Sequence, residues 1–321
     1  KTKYGYDLAP PKTWKEYLDV AEFFTRPDKG LWGTAEAFRR GGQQFWFFFS
    51  HAAAYTNHPD LPGSMFFDPD TMDAQINNPG WVRGLEEYIK ASKLAPPNAL
   101  NFSFGEVNAA MAGGQVAESI GWGDTGVIAA DPKQSKIAGK VGSAILPGSD
   151  EIYNYKTKQW DKYPEIVYSP FLAFGGWQIA VPQASQNQEA AWSFVKTLSD
   201  PAVSLKAATT GGTGVQPYRF SHTKNLEPWK AFFSEREAKE YLGAQLDSQN
   251  AKNVALDMRL PAYFSYTEAL EIELSKALAG ETTPQAALDA VATEWNRLTD
   301  ELGRDKQLAA YRASMGLPPK S

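Results

Sequence analysis

Read for spacing alone, the chain alternates between stretches of helical period and short apolar runs of strand length. "WKEYLDVAEFF" (14–24) keeps apolar residues three and four apart, follows Pro10-Pro11-Lys12-Thr13, and places Glu16 three residues past Thr13. That spacing predicts an amphipathic helix with Thr13 as N-cap and Glu16 at the capping-box position. "GLWGTAEAF" (30–38) reads as a strand closed by Arg39-Arg40-Gly41-Gly42, with a helix expected from about Gln43 to Ala54. A turn-rich stretch (62–79) separates it from the helix "GWVRGLEEYIKASKL", which ends at Pro96-Pro97. "FSFGEVNAAMAGG" gives a further helix with a glycine stop at Gly113-Gly114.

Three more apolar runs, "QVAESI" (115–120), "KVGSAILPG" (140–148) and "GGWQIAVP" (175–182), have strand character. "NQEAAWSFVKTLSDP" returns to helical period through Ala191, Phe194, Val195 and Leu198. From about Glu227 to Gly316 the pattern is almost wholly helical, with Gly280 and Pro284 separating two long helices. The chain shows no internal repeat and no low-complexity segment, and the mixture predicts an α/β fold with a helix-rich C-terminus.

The run 115–120 delivers the chain to "GWGDTG" (121–126), which spells G-x-G-x-x-G. A dinucleotide site needs a helix of ten or more residues after the glycine turn and an acid about 20 residues on. Here the following segment "VIAADPK" breaks at Pro132, Trp122 fills the tightest part of the turn, and Asp150 and Glu151 follow Pro147-Gly148 in a loop. No nicotinamide or flavin cofactor is expected.

What the stretch offers instead is an indole between two glycines at the carboxyl end of a strand, where ligands bind in open α/β sheets. Gly175-Gly176-Trp177 repeats the setting. A sugar ring presents an apolar C–H face to such a plane, and its hydroxyls then require polar partners at the rim. Trp122, Trp177 and Gly176 are therefore candidate ligand contacts. Asp124 either accepts from sugar hydroxyls or caps the helix that follows it.

Composition narrows the partners. Among 321 residues the 32 Lys and Arg are scattered and the net charge is −5, which excludes a nucleic-acid partner and disfavours an anionic membrane surface. No apolar run reaches the roughly 18 residues of a membrane span. The absence of cysteine removes disulfides, thiolate nucleophiles and Cys-based metal sites. The first residue is Lys1, followed by neither a charged n-region nor an apolar h-region, which reads as a processed or cut chain. "DPDTMD", with Asp68, Asp70 and Asp73, lacks the central Gly and terminal Glu of a calcium loop and reads as a turn.

The succession "PPKTWKEYLDVAEFFT", "FGEVNAAMAGGQVAESIGWGDTG", "ILPG", "GGWQIAVPQASQNQEAAWSFVKTLSDP", "TTGGTGVQPYR" and "LSKALAGETTPQAALDAVATEWNRL" resembles the family 1 solute-binding proteins of bacterial ABC importers, relatives of maltose-binding protein. The likeness runs from about Asp7 to about Leu317. It implies a type II periplasmic-binding-protein fold in which 1–176 and 218–321 form the C-terminal lobe and 177–217 return to the N-terminal lobe. The opening segment of that N-terminal lobe is missing from the pattern, so the helix with Trp192 and Phe194 is expected to leave an apolar face open, to be met by the missing segment or by self-association. The resemblance further implies that Arg39, Arg40 and Gln44 lie in the cleft loop and that Tyr218 and Arg219 lie in the hinge-side loop. It implies capture of a carbohydrate, polyol or small glycoside, delivery to membrane permease subunits, and a periplasmic location, or a lipid-anchored extracellular one in a Gram-positive cell.

A glycosidase is the competing class. Its two carboxylates, about 5–9.5 Å apart, would have to be Glu118 and Asp124. Glu118 lies mid-strand in an alternating pattern and is expected to face solvent. No histidine sits in a nucleophile–base arrangement, and binding without chemistry is the expectation.

Overall fold

A computed structural model describes residues 1–173 and 176–320. In chain order the elements are α1 (Trp14–Phe24), β1 (Trp32–Ala35), α2 (Gln44–Thr56), α3 (Pro79–Lys93), α4 (Phe104–Ala112), β2 (Val116–Ser119) and α5 (Asp124–Ala130). There follow β3 (Ser149–Asn154), β4 (Gln159–Val167), β5 (Phe171–Leu172), α6 (Gln188–Leu198), α7 (Pro201–Ala208), α8 (Phe220–Lys224) and α9 (Glu235–Gln249). The chain closes with β6 (Ala255–Leu256), α10 (Tyr263–Ala279), α11 (Pro284–Glu301) and α12 (Arg304–Ser314).

Local signals set the helix ends. The Thr13 hydroxyl accepts from Glu16 N at 3.2 Å, while the Glu16 carboxylate reaches back to Lys12 N at 2.7 Å, one residue beyond the expected capping box. Asn78 caps α3 ahead of Pro79, and Thr283 caps α11 ahead of Pro284. Gly280 closes α10 in the left-handed region that its lack of Cβ permits.

Packing is built around α2. Its sequence "QFWFFFSHAAAYT" is apolar on nearly every face and buried on nearly every face, because α3, β3, β5 and α10 surround it. A Cβ added at Gly84 of α3 would lie 2.7 Å from Ala52 Cα, so the α2–α3 crossing is as close as glycine allows. Trp81 fills the space beside that crossing against Phe48, Phe49 and Phe66, and its Nε1 donates to Met65 O at 2.9 Å. The C-terminal helices fold back on the same core. Trp295 stacks on Phe67 at 5.2 Å and donates to Tyr266 O, and the Tyr311 hydroxyl donates to Gly63 O. A smaller cluster of Val127, Ala130, Ala208, Trp229, Phe233 and Tyr241 ties α5 to α7 and α9.

The described strands form three two-stranded sheets. β1 and β2 are parallel, with Thr34 opposite Glu118; β3 and β4 form an antiparallel hairpin; β5 and β6 are parallel. Two expected strands are absent. Residues 141–147 make no ladder, and the described part of 175–182 forms no strand and is largely exposed. Period-two patterning makes a strand only where a neighbour supplies the ladder, and no described segment supplies one there. The 68–73 stretch is a turn as expected: Asp68 accepts from Asp70 N, Thr71 bonds Asp73, and Arg304 and Arg312 of α12 grip Asp73 and Asp70. No described helix is long and apolar enough to cross a membrane.

The segment after β5 stands apart. α6 buries none of its residues, and its apolar face is open: Trp192 and Phe194 are 55% and 62% exposed, with Trp177 and Ile179 upstream at 87% and 53%.

Candidate functional site

β2 runs through Ile120 into the turn Gly121-Trp122-Gly123, and α5 starts at Asp124. The glycines of this turn serve close packing. A Cβ at Gly121 would meet Thr125 Oγ1 at 2.6 Å, one at Gly126 would meet the Tyr241 ring at 2.7 Å, and one at Gly123 would press on Gln216 at 3.2 Å. α5 ends after seven residues, too short to aim a helix terminus at a pyrophosphate.

Trp122 is half-buried and stands edge-on to Trp46 at 5.6 Å and to Phe104 at 6.4 Å. Its Nε1 donates to Gln43 Oε1 at 3.2 Å. Trp46 is fixed in turn: its Nε1 donates to Asp257 Oδ2 at 2.8 Å and meets the Tyr263 hydroxyl at 3.0 Å, and that hydroxyl donates to Asp257 at 2.9 Å. Asp257 is buried, and burial together with this carboxylate pushes the Tyr263 phenol well up from its ordinary value. Phe264, 79% exposed, extends the aromatic surface beside Tyr263.

Two residues in the left-handed region frame this corner. Gln43 (φ 77°) precedes α2 and Ala262 (φ 62°) precedes α10, and neither is glycine. Such backbone costs about 1 kcal/mol or more and persists only where surroundings impose it. The loop before Gln43 is tied to α10: Gly41 N donates to Glu271 at 3.1 Å, and Arg40 pairs with Glu268 at 3.6 Å. The result is an aromatic corner with the Gln43 amide at its edge and the Asp257 carboxylate buried behind it. It can stack a ring or an extended C–H face and bond its hydroxyls.

The expected site residues divide. Arg39 is exposed in the loop that leads to Gln43. Gln44 is fully buried, with Nε2 donating to Phe38 O at 2.6 Å, so its neighbour Gln43 is the one that meets Trp122. Asp124 is also buried, on the side of the turn facing Tyr241 of α9, and desolvation raises its pKa. Tyr218 is exposed and edge-on to His222, and the Arg219 guanidinium donates to Ser199 O and lies over the Tyr218 ring. Their loop borders the tryptophan turn through Gln216. Gly176 has φ 103° and precedes the exposed Trp177; Gly175, the other flank of that indole, lies outside the described residues.

One expectation is corrected. Glu118 does not face solvent: it points into the interface between the β1–β2 ladder and α1, with Oε1 buried and no hydrogen-bond partner among the described residues. Burial and, second, the nearby Glu36 push its pKa up to about 9. Glu118 and Asp124 thus face different neighbours, Tyr17 and Tyr241, and do not flank one slot as a glycosidase pair would.

The sequence profile of the bacterial extracellular solute-binding proteins matches residues 1–204. A probable amino-acid ABC transporter periplasmic-binding protein of Sinorhizobium fredii is 23% identical over 220 residues, 68% of this chain and 43% of its own length. The chain therefore spans less than half of that relative. An ABC transporter solute binding protein of Agrobacterium radiobacter, solved in complex with ribitol, superposes with a TM-score of 0.67 at 23% identity, over 90% of this chain and 65% of that one. Another from Agrobacterium vitis, with bound D-mannitol, gives 0.68 at 23% identity, over 94% and 69%.

Proposed function

We propose, from the premise that this chain belongs to the bacterial extracellular solute-binding protein family, that it is the capture component of an ABC importer and takes a carbohydrate or polyol on the corner built by Trp122. The fold is of the periplasmic-binding-protein type, as the solved relatives are. The single observation that carries the solute class is the corner itself: Trp122 and Trp46 at right angles, backed by Asp257 and Tyr263, with Gln43 at the edge. That arrangement suits a ligand with one apolar face and many hydroxyls. The ribitol and D-mannitol held by the two relatives have this character.

No bond is made or broken in this reading. Lobes close by hinge motion over the solute, whose differential affinity favours the closed form, and that form docks on membrane permease subunits outside the cytoplasm, in a periplasm or from a lipid anchor. Calorimetric titration of the chain with ribitol, D-mannitol, maltose and a set of amino acids tests it. Heat with at least one polyol or sugar is expected; binding of amino acids alone, or turnover of a glycoside, overturns it.

In the same reading, 1–176 and 218–321 make one lobe and 177–217 belong to the other. The open apolar face of α6 supports this division. Backbone amides between 177 and 203 are expected to exchange with solvent much faster than those of α10 and α11 in a verified monomer. Equal protection would place the segment in the main body.

A further inference from the structure

Gln43 meets Trp122 with one end of its amide committed and the other unengaged. An indole nitrogen is a donor and nothing else, so the 3.2 Å bond from Trp122 Nε1 has to be accepted by the amide oxygen. Which way round the amide sits is thereby settled by chemistry: Oε1 is spent on the indole, and Nε2 carries two N–H donors. Those donors meet no acceptor among the described residues, and Gln43 is only half-buried, within reach of solvent.

The side chain is anchored at its root as well as at its tip. Gln43 O accepts from Trp46 N at 3.1 Å in the first turn of α2. On one flank Gln44 is fully buried, and the Tyr88 hydroxyl of α3 donates to Ala37 O and lies 3.4 Å from Gln44 O. On the other flank Gly42 N donates to Arg39 O at 2.9 Å, and a Cβ at Gly42 would lie 3.1 Å from Ser103 Cβ. Gly41 N is held by Glu271. Pinned neighbours on both sides hold Gln43 in its left-handed backbone, and with it the direction in which the side chain leaves. A donor fixed at both ends gives up little rotamer freedom when it binds, so its hydrogen bond is realised nearly in full.

The carboxylates around the corner are engaged elsewhere. Asp257 accepts from Trp46, Tyr263 and Met258 N; Glu271 is buried on Gly41 N; Glu268 pairs with Arg40; Asp124 is buried towards Tyr241. What remains for a solute edge beside the Trp122 ring is the NH2 group of Gln43.

We infer that Gln43 is the specificity-determining residue of this corner: locked by the indole, its NH2 donates to a solute oxygen and turns away a solute that carries an ammonium at that place. The selection rests on Trp122 being the solute platform, whereas the lock does not. No residue assigned from the sequence has this role; its neighbour Gln44 is spent on the backbone of Phe38.

Two substitutions separate lock from selection. In Gln43→Glu a carboxylate oxygen still accepts the Trp122 N–H, but the two donors are replaced by a negatively charged acceptor. Gln43→Met removes both ends at similar size. Without solute, the Trp122 indole N–H resonance, identified by its loss in Trp122→Phe, should stay bonded and downfield in Gln43→Glu and move upfield in Gln43→Met. Calorimetry at neutral pH then compares ribitol, D-mannitol and glucose with their aminodeoxy analogues, one for each hydroxyl position. The solute that binds the parent is expected to bind Gln43→Glu about tenfold more weakly, and at least one amine rejected by the parent should gain about tenfold in that variant. An indole resonance that does not move in Gln43→Met overturns the lock. The same ratio of hydroxyl to amine affinity in parent and Gln43→Glu overturns the selection. If none of these solutes binds the parent, the proposed function falls and the selection with it, while the indole resonance still decides the lock.

Discussion

Replacing Trp122 by alanine is expected to weaken solute binding by about 1–3 kcal/mol, roughly tenfold to more than a hundredfold, because stacking and desolvation are lost together. The half-buried ring touches Trp46 and Phe104 at their edges, so the body of the core survives and the melting temperature should fall by only a few degrees. Trp122→Phe keeps a face for the ligand, though not the N–H bonded to Gln43, and is expected to recover part of the affinity. Calorimetry with whichever polyol or sugar titrates, run beside thermal melts, separates the roles. Unchanged affinity in the alanine variant, with a melting temperature lower by many degrees, would make Trp122 a core residue.

Asp257→Ala is expected to damage both stability and binding. It leaves the Trp46 indole N–H and the Tyr263 hydroxyl without their buried acceptor, along with Met258 N at 2.7 Å. The indole keeps the Tyr263 hydroxyl, whereas that hydroxyl and Met258 N lose their acceptor; a lost buried acceptor costs about 1–3 kcal/mol, and shared relaxation brings the total to roughly 2–4 kcal/mol, or about 5–12 °C in Tm. Asp257→Asn keeps one acceptor oxygen and should lie between parent and alanine in both measurements. If Asp257 only fills space, asparagine will match the parent in affinity and stability alike; graded loss in both identifies it as the residue that holds Trp46 and Tyr263 in place.

The legible parts of the sequence were those whose cause is local. Thr13, Asn78-Pro79 and Thr283-Pro284 announce helix starts, and Gly280 announces a stop, because caps depend on a handful of neighbouring residues. The turn at Trp122 was visible for the same reason. Its companions were not. Trp46 is hidden in "FWFFF", where every residue reads as core, and Asp257 and Tyr263 lie more than 200 residues further on. Nothing in spacing brings them together; the α2–α10 packing does. Alternation along 115–120 shows that Glu118 and Val116 share a face but not which face is covered, and α1 covers it. The strands expected at 140–148 and, over its described part, at 175–182 do not form because patterning cannot supply a ladder partner.

The left-handed residue at position 43 sets a trap for directed evolution. Glycine there would relieve the backbone and raise the melting temperature, as such substitutions commonly do at left-handed sites. It would also delete the amide that receives the Trp122 N–H and loosen the loop that links Arg40 and Gly41 to α10. A library of this chain ranked by heat resistance alone would therefore enrich variants that endure and no longer discriminate between solutes. Pairing each thermal selection with a ligand-retention step would keep Gln43 in the pool.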